Sequence, residues 1–383
     1  MSKKITIIGR GTAGAISALH FSKWLGDEGY EIDWMYDPET PTQAVGEGSA
    51  LPFPRLLHET IGFQHDELEQ LDGSLKLGIY KENWTGIGEN FRHNFPPPFT
   101  SYHFNALKLQ DFIYGKLKDK VNIVEQKISG HEDIDSDWIM DCSGAPKDKP
   151  ELLEEADGIC VNSVHVTQCY WEGVRFQETL TIARPYGWVF GIPLKNRCSI
   201  GYLYNNQYTS LLEVKKDVKA IFRQYGLTPS EDTNTFTFNN YYRKRNFDWR
   251  VAYNGNASFF LEPMEATSIS TMDVINRLFF DRIMGNIHEA HANQSYTDAM
   301  RRTQAVIAMH YINNESWDTP FWRYANQRSS DYIRSMSGDK IFKSFVAMEK
   351  QNSGQVGTWE DYSFAINMRG LRNHDKMMEL LSG

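Results

Sequence analysis

Features that mark several large classes of protein are scarce in this sequence of 383 residues. It contains only 4 cysteines, and none forms a Cys-x-x-Cys or Cys-x-x-His pair, which disfavours a zinc site and a secreted disulfide scaffold. No apolar run approaches the ~18–20 residues of a membrane span, and the N-terminus lacks the apolar core of a signal peptide. Acidic residues outnumber basic ones by 49 to 40, so a generally basic surface for nucleic acid is not expected. We therefore predict a cytoplasmic protein with no metal site and no membrane or nucleic-acid partner.

Aromatic residues, by contrast, are abundant. They make up 13% of the chain, with 10 Trp, 19 Tyr and 22 Phe. Such side chains either enlarge the hydrophobic core or surround the flat ring of a ligand, and the sequence leaves both interpretations open. The length suits one large domain or two interleaved ones. Because no repeat or polar linker divides the chain, we predict regions that are interwoven.

The N-terminus has the pattern of a dinucleotide-binding βαβ unit. An apolar strand, Lys4–Ile8, leads into the motif GRGTAG at residues 9–14, a helix, and a second strand, Glu31–Tyr36. In such a unit the three glycines allow a tight turn, a close approach to a pyrophosphate and close helix–strand packing, while the helix N-terminus faces the phosphates. Asp37 follows the second strand, where an acidic side chain accepts hydrogen bonds from a ribose. The residues alone do not decide between NAD and FAD, and the candidate cofactor-binding residues are Gly9, Gly11, Thr12, Ala13, Gly14 and Asp37.

The rest of the chain changes in texture along its length. Four β-rich segments without helical periodicity follow one another between Val164 and Tyr204, which predicts an antiparallel sheet. Residues 74–84 alternate as a single strand, and helical segments dominate after residue 270. These patterns predict an α/β protein in which a doubly wound domain is combined with an antiparallel sheet.

Six segments match the motifs of one family in the same order along the chain. They are the glycine motif at residues 9–14, VGEGSALP at 45–52, Lys76 with Ile79 and Trp84, WVFGIP at 188–193, EPMEATSI at 262–269 and DTPFWR at 318–323. In kind and order, these segments resemble the motifs of flavin-dependent halogenases of the tryptophan halogenase type. The chain is shorter than typical members, so it is identified as a short, divergent member of that family.

The resemblance implies a fold of the flavin monooxygenase type. Its parts are an FAD-binding, doubly wound Rossmann-like domain, an interwoven antiparallel-sheet substrate region and C-terminal helices. Because the substrate-enclosing segments of the family are shortened here, we expect an open cavity and small or varied phenolic or indolic substrates. The implied regions are FAD-binding residues 1–73, 105–160 and 245–290, substrate residues 74–104 and 161–244, and C-terminal residues 291–383.

The resemblance also implies a chemistry and two catalytic residues. In the family, reduced FAD reacts with O₂, and a bound halide is converted to hypohalous acid, which crosses an internal passage to a lysine beside the aromatic substrate. Lys76 matches that lysine. As an ammonium it would donate a hydrogen bond to the oxidant, and as a neutral amine, which desolvation favours, it would form a haloamine. Glu265 matches the glutamate near the lysine, which polarises the oxidant or accepts the ring proton.

Thr267 and Ser268 match the Thr-Gly pair that binds halide in the family. Backbone N–H groups at a helix N-terminus suit an anion, and a helix is predicted directly after these residues. The family's glycine is Ser268 here, and a serine is strained if that position needs a positive φ. We therefore expect a looser halide site that prefers bromide or iodide to chloride.

The remaining matches concern the separation of substrate from flavin and the cofactor itself. Trp188, Phe190 and Pro193 belong to the motif that keeps substrate away from the flavin, with Phe190 in place of the second tryptophan of the family. Residues 45–52, which we call the strap, match the segment that covers the flavin. The further cofactor contacts assigned are Val45, Glu47, Gly255 and Ile269.

Two other functions remain open at this point. An FAD-dependent aromatic hydroxylase of the same fold would insert oxygen without halide, and it would not require Lys76 and Glu265 in this arrangement. A nucleotide-binding module without turnover would take up no FAD. For the halogenase, no NAD(P)H site is evident in the sequence, so electrons are expected from a separate flavin reductase. A homodimer is one assembly that the resemblance allows.

Overall fold

A computed structural model describes residues 3–42, 47–85, 88–146, 149–312, 317–347, 355–356 and 359–382. The strands, in chain order, are β1 (Lys4–Ile8), β2 (Glu31–Tyr36), β3 (Ser74–Lys76), β4 (Gly78–Glu82), β5 (Phe91–Asn94), β6 (Ser101–His103), β7 (Asn122–Glu125), β8 (Trp138–Asp141), β9 (Leu153–Glu155), β10 (Ser163–Tyr170), β11 (Glu178–Arg184), β12 (Gly187–Pro193), β13 (Arg197–Tyr204), β14 (Thr228–Thr237), β15 (Tyr241–Arg243), β16 (Phe247–Asp248), β17 (Val251–Tyr253), β18 (Phe259–Phe260), β19 (Gln355–Val356) and β20 (Trp359–Glu360). The α-helices are α1 (Thr12–Trp24), α2 (Pro52–Ile61), α3 (Ala106–Leu117), α4 (Leu211–Gln224), α5 (Thr267–Ile283), α6 (Glu289–Ala308), α7 (Pro320–Ser335), α8 (Lys340–Val346), α9 (Asp361–Leu371) and α10 (His374–Ser382).

The predicted doubly wound domain is built on a 6-stranded sheet with the order β16-β17-β8-β1-β2-β7. Strand β1 lies in parallel between β2 and β8, and β16 runs antiparallel at one edge. Ile8, the last residue of β1, pairs with Met35 on β2 and Asp141 on β8. The carboxyl ends of these strands therefore meet at one edge, which is where doubly wound sheets bind their ligands.

A second, 7-stranded sheet has the order β14-β10-β13-β12-β11-β4-β5. Neighbouring strands are antiparallel except for β4 and β11, which are parallel. The four segments between Val164 and Tyr204 that predicted an antiparallel sheet form its centre as β10 to β13. This sheet carries β4 and β5, which supply part of the candidate site.

The prediction of one strand over residues 74–84 is wrong, because the chain divides into β3 and β4 in different sheets. Lys76 pairs with Ser101 on β6, whereas Gly78 pairs with Asn94 on β5. A Cβ at Gly78 would lie 2.3 Å from the carbonyl oxygen of His93, so only glycine allows β5 to approach this closely. The break places Lys76 and the residues of β4 in separate sheets that face the same interior.

The largest hydrophobic core reaches both regions and the C-terminal helices, and two smaller clusters lie apart from it. One cluster of buried side chains extends from Ile5 on β1 to Leu381 on α10, and helices α1 and α5 pack against each other within it. The division into three regions therefore remains a prediction, since the regions share their core. Among the described residues, no helix is both long and apolar enough to cross a membrane. The same residues contain no group of three His, Cys, Asp or Glu side chains placed to hold a metal ion.

Candidate active site

A cavity of about 90 Å³ lies where the helices of the first sheet meet β3, β4 and β5. Both predicted catalytic residues, Lys76 and Glu265, line this cavity although they are far apart in sequence. Ser363 on α9 also lines it, so the C-terminal region contributes to its wall, and the open cavity expected from the sequence stays a prediction. Other parts of the wall are apolar or aromatic, among them Pro52, Phe53, Ile79 and Phe95.

Lys76 is buried, with 2% of its surface exposed. Its Nζ donates a hydrogen bond to the carbonyl oxygen of Ser49 at 2.9 Å and lies 5.8 Å from the ring centre of Phe95. Burial lowers the pKa of Lys76 to about 8, although the charge of Glu265 opposes this shift. The amine therefore exists in both protonation states near neutral pH, as the desolvation argument predicted.

Glu265 does not pair with Lys76. Its Oε1 lies 2.5 Å from Nζ of Lys81, and its Oε2 lies 2.8 Å from Nδ1 of His93. Burial by itself would raise the pKa of this carboxyl, but the charges of Lys81 and His93 outweigh it and hold the pKa well below its usual value. Glu265 is therefore an ionised carboxylate whose two oxygens are both engaged.

Lys81 connects this carboxylate to a further buried histidine. Its Nζ lies 2.9 Å from Nε2 of His310. Nδ1 of His310 lies 3.0 Å from the carbonyl oxygen of Val306, so Nδ1 carries the hydrogen and Nε2 accepts from the Lys81 ammonium. Burial and the charge of Lys81 lower the pKa of His310 to about 3, which keeps the imidazole neutral.

Lys81 and His93 were not predicted from the sequence, and the signal for them is period-2 alternation. Lys81 shares a strand face with Ile79. His93 is spaced by two residues from Phe91 and from Phe95, so it is expected on the same face as these phenylalanines. Other charged residues, such as Glu82 and Arg92, lie next to them in the sequence and are more typical of a solvent-exposed strand. Their presence makes the buried face hard to recognise from the sequence. His310 lies just after α6, in a position typical of a core histidine, and its burial agrees with that interpretation.

The strap is held against the sheets by Glu47 and Ser49. Oε1 of Glu47 lies 2.5 Å from Nη2 of Arg197 on β13. The backbone N–H of Ser49 donates to the carbonyl oxygen of Tyr102 on β6 at 3.0 Å. Val45, the other strap residue assigned to the cofactor, lies outside the described residues. The contacts of Glu47 anchor the strap beside Lys76, and its contact with FAD stays a prediction.

The glycine motif adopts a turn that fits a pyrophosphate. Gly9 has a φ of +100°, and a Cβ there would lie 2.6 Å from the carbonyl oxygen of Cys142. A Cβ at Gly14 would lie 2.0 Å from the carbonyl oxygen of Gly9, so α1 packs against the turn only because residue 14 is glycine. Around Gly11, the described residues leave open space. No side chain among them caps α1 before Thr12, and the positive end of the helix dipole lies at this turn, so the turn fits FAD.

The other cofactor candidates are distributed around this turn and the cavity. Gly255 lies against the motif, because a Cβ there would be 2.5 Å from Cβ of Ala13. Asp37 is half-buried, and its carboxylate accepts a hydrogen bond from the backbone N–H of Glu39 at 2.9 Å, within its own turn. Ile269 on α5 lines the cavity. Contacts of these residues with FAD stay predictions.

The predicted halide residues form the first turn of α5. Thr267 and Ser268 are its first two residues, so their N–H groups lie at the helix end where the dipole favours an anion. The prediction of backbone strain at Ser268 is wrong, because Ser268 lies in the helix and does not have a positive φ. The left-handed backbone falls two residues earlier, at Glu265 with φ 60° and Ala266 with φ 57°, and these residues turn the chain into the helix. Strain at Ser268 was the reason to expect a looser halide site, so that reason no longer holds. The preference for bromide or iodide stays a prediction.

The three predicted barrier residues are not on one face of β12. Trp188 and Phe190 share a face, with ring centroids 6.4 Å apart, and Trp188 also packs against Trp84 at 6.2 Å. Pro193 points to the opposite face, and its carbonyl oxygen accepts a hydrogen bond from Ser74 at 2.6 Å. The structure thus brings Trp188 and Phe190 together, and a barrier role for the three residues stays a prediction.

A Rossmann-like domain joined to an antiparallel sheet, with a buried lysine between them, is the arrangement expected of a flavin-dependent halogenase. The sequence model of the family described as Tryptophan halogenase matches residues 4–114 and 108–381. The chain therefore belongs to the tryptophan halogenase family. Tryptophan 7-halogenase RebH of Lentzea aerocolonigenes is 23% identical, over 84% of this chain and 78% of the relative. Tryptophan 6-halogenase ThaL of Streptomyces albogriseolus is 22% identical over the same shares of the two chains.

Solved structures of halogenases share the fold. The tryptophan 6-halogenase SttH from Streptomyces toxytricini superposes with a TM-score of 0.78 at 18% identity, covering 99% of this chain and 96% of that one. BrvH, a flavin-dependent halogenase from Brevundimonas sp. BAL3, superposes with a TM-score of 0.74 at 17% identity, covering 100% and 97%. These findings confirm the predicted α/β fold of the FAD-binding type. With the family match, they also confirm the prediction of an FAD-dependent halogenase that uses reduced FAD, halide and O₂.

Proposed function

We propose that the chain halogenates a small, electron-rich aromatic substrate of the phenolic or indolic class, with Lys76 as the amine that carries the halogen and Glu265 assisting. Bound reduced FAD, with O₂ and halide, supplies hypohalous acid. The residues of the chain then capture this oxidant, orient the aromatic ring and take up its proton.

One observation carries the proposal: a buried amine and a buried carboxylate line the same cavity. Charged groups are costly to bury, so packing alone does not account for them, and perturbed titratable groups are concentrated at functional sites. With a pKa of about 8, roughly a tenth of the Lys76 amine is neutral at pH 7. The neutral form is the nucleophile, which supports a haloamine rather than a hydrogen-bonding ammonium.

The proposed steps transfer the halogen twice. Nitrogen of the neutral Lys76 attacks the halogen of hypohalous acid, so an N–halogen bond forms, the O–halogen bond breaks, and the leaving hydroxide takes an amine proton to become water. The ring carbon then attacks the halogen, a C–halogen bond forms, and the N–halogen electron pair returns to nitrogen. As this pair returns, the nitrogen takes up one proton from the cavity and is the neutral amine again. The ring carbon gives its own proton to the pair of Glu265 and His93, so one proton is gained and one is lost.

The walls of the cavity support an aromatic substrate. Pro52, Phe53, Ile79 and Phe95 provide apolar and aromatic surface next to Lys76, which suits a flat ring. FAD would be held at the glycine motif and Gly255, and halide at the start of α5. The residues assigned to these roles and to the barrier are Gly9, Gly11, Thr12, Ala13, Gly14, Asp37, Val45, Glu47, Gly255 and Ile269 for FAD, Thr267 and Ser268 for halide, and Trp188, Phe190 and Pro193 for the barrier.

The variant Lys76→Ala tests the proposal with reduced FAD, bromide and indole, the products being read by mass spectrometry. We expect halogenated product to disappear while flavin oxidation and peroxide release continue, because the oxidant is made away from Lys76. The exposed Lys219→Ala on α4 serves as the matched control and should retain product. Undiminished product from Lys76→Ala would remove this residue from the mechanism. Product that contains inserted oxygen and forms without halide would favour the hydroxylase instead.

The partners follow from the same reaction. Electrons for the flavin would come from a separate reductase, because no second nucleotide motif is evident in the sequence. A homodimer and a cytoplasmic location are also part of the proposal. Sedimentation of the purified chain tests the dimer, and addition of a purified flavin reductase with NADH tests the electron supply.

A further inference from the structure

Two buried lysines compete for one carboxylate in this site. Lys76 and Lys81 are 2% and 0% exposed, and the side chain of Glu265 is 1% exposed. Glu265 approaches Lys81 to 2.5 Å, whereas Nζ of Lys76 donates to the carbonyl oxygen of Ser49. Within the described ranges, no carboxylate forms an ion pair with Lys76.

Lys81 lies behind Glu265 rather than in the cavity wall that the described residues form. Around its ammonium are the Glu265 carboxylate, Nε2 of His310 at 2.9 Å, the sulfur of Met264 at 4.0 Å and the ring of Trp84, whose centre is 5.8 Å away. Since substrate and oxidant would occupy the cavity, Lys81 would not touch them, and Glu265 is the cavity residue that it contacts.

Few charges act on the Lys76 amine itself. Glu265 favours its protonated form and Lys81 opposes it, so the two influences have opposite sign. His103, on the neighbouring β6, is neutral because burial and the charge of Lys76 lower its pKa. The other titratable groups of the cavity wall are His20, His93 and Asp273.

We propose that Lys81 is a positioning residue: it holds Glu265 as its own counter-ion and so keeps that carboxylate from pairing with Lys76, the amine that accepts the halogen. This inference rests on the proposed function of Lys76. A lysine paired with a carboxylate stays protonated and has no electron pair to offer, whereas a buried lysine without such a pair loses its proton more readily. With Lys81 in this role, the amine of Lys76 and the carboxylate of Glu265 share one cavity without forming an ion pair with each other.

The pH dependence of halogenation tests this role in Lys81→Met, Lys81→Arg and the double variant Lys81→Met/Glu265→Gln. Each is supplied with reduced FAD, bromide and indole, and product is expressed per flavin oxidised, so that changes in oxidant supply cancel. In Lys81→Met, Glu265 is free to turn to Lys76, and the rise of product with pH should move to more alkaline pH. Each unit of this shift lowers product at pH 7 about tenfold. Lys219→Met is the matched control and should leave the pH profile in place.

The other variants separate charge from structure. Lys81→Arg retains the cation and should keep the profile near its original position. The double variant removes both charges, so its product is reduced but its profile should return towards that of the unmodified protein. The inference is overturned if the Lys81→Met profile does not move, or if Lys81→Arg moves it equally. If Lys81→Met does not fold, a displaced profile in the double variant would also overturn it. Loss of product in Lys76→Ala with an unmoved Lys81→Met profile rejects this inference alone, whereas full product in Lys76→Ala rejects the proposed function.

Discussion

Replacing Lys76 by methionine should stabilise the protein while it abolishes halogenation. Burial lowers the pKa of Lys76 from its ordinary 10.5 to about 8, and each unit corresponds to about 1.4 kcal/mol, so the protonated amine costs about 3 kcal/mol of folding free energy at pH 7. Methionine has a similar length and no charge. It also loses the hydrogen bond to Ser49, which is worth about 1 kcal/mol. The net gain in the free energy of unfolding at pH 7 is therefore about 2 kcal/mol.

The way in which the stability difference between Lys76→Met and the unmodified protein changes with pH shows whether the buried charge of Lys76 causes it. Between about pH 8 and pH 10.5 the unfolded chain binds more protons at this lysine than the folded protein, so the unmodified protein gains stability with rising pH. The advantage of Lys76→Met should therefore shrink across this window and be absent at its upper end. Urea unfolding of both proteins at pH 7 and pH 10, with Lys219→Met as an exposed control, measures it. A variant that is less stable at pH 7, or whose advantage is equal at both pH values, would refute the reasoning.

Three further predictions concern the carboxylate, the cofactor and the halide. Glu265→Gln leaves Lys81 as an uncompensated buried charge, so we expect a loss of about 3 kcal/mol in urea unfolding and a fall in halogenation of about 10²–10³-fold; near-normal values of both would contradict the ion pair. Gly14→Ala places a Cβ 2.0 Å from the carbonyl oxygen of Gly9 and should weaken FAD binding at least tenfold in a fluorescence titration, while unchanged affinity would argue against the pyrophosphate turn. With equal chloride, bromide and iodide in competition, we expect brominated or iodinated product to dominate, and a clear preference for chloride would reject that expectation.

The sequence predicted the fold well where local patterns and backbone geometry agree. The glycine motif after β1 requires a tight turn and a close helix, and the structure forms both, because a side chain at Gly14 would collide with the turn. The antiparallel sheet followed from strands without helical periodicity between Val164 and Tyr204. The single strand over residues 74–84 was wrong, since alternation continues through Gly78 although the chain leaves one sheet for another there.

The candidate site was predicted only in part. Lys76 and Glu265 were named through the resemblance, and both line the cavity. Nothing in their spacing indicated that Glu265 pairs with Lys81 and His93 instead of with Lys76, because these contacts join residues from separate elements. The strain expected at Ser268 was wrong for a similar reason, as the chain enters α5 through Glu265 and Ala266.

Order along the chain was enough to predict the family and, through that resemblance, Lys76 as the amine of the site. The tight turn of the glycine motif followed from residue types that local geometry constrains. The tertiary structure alone decided which buried charged groups form ion pairs. Whether a lysine forms an ion pair with a given carboxylate depends on the distance between them and on how far both are removed from water. The packing of β3, β4, β5 and α5 sets this distance and this burial.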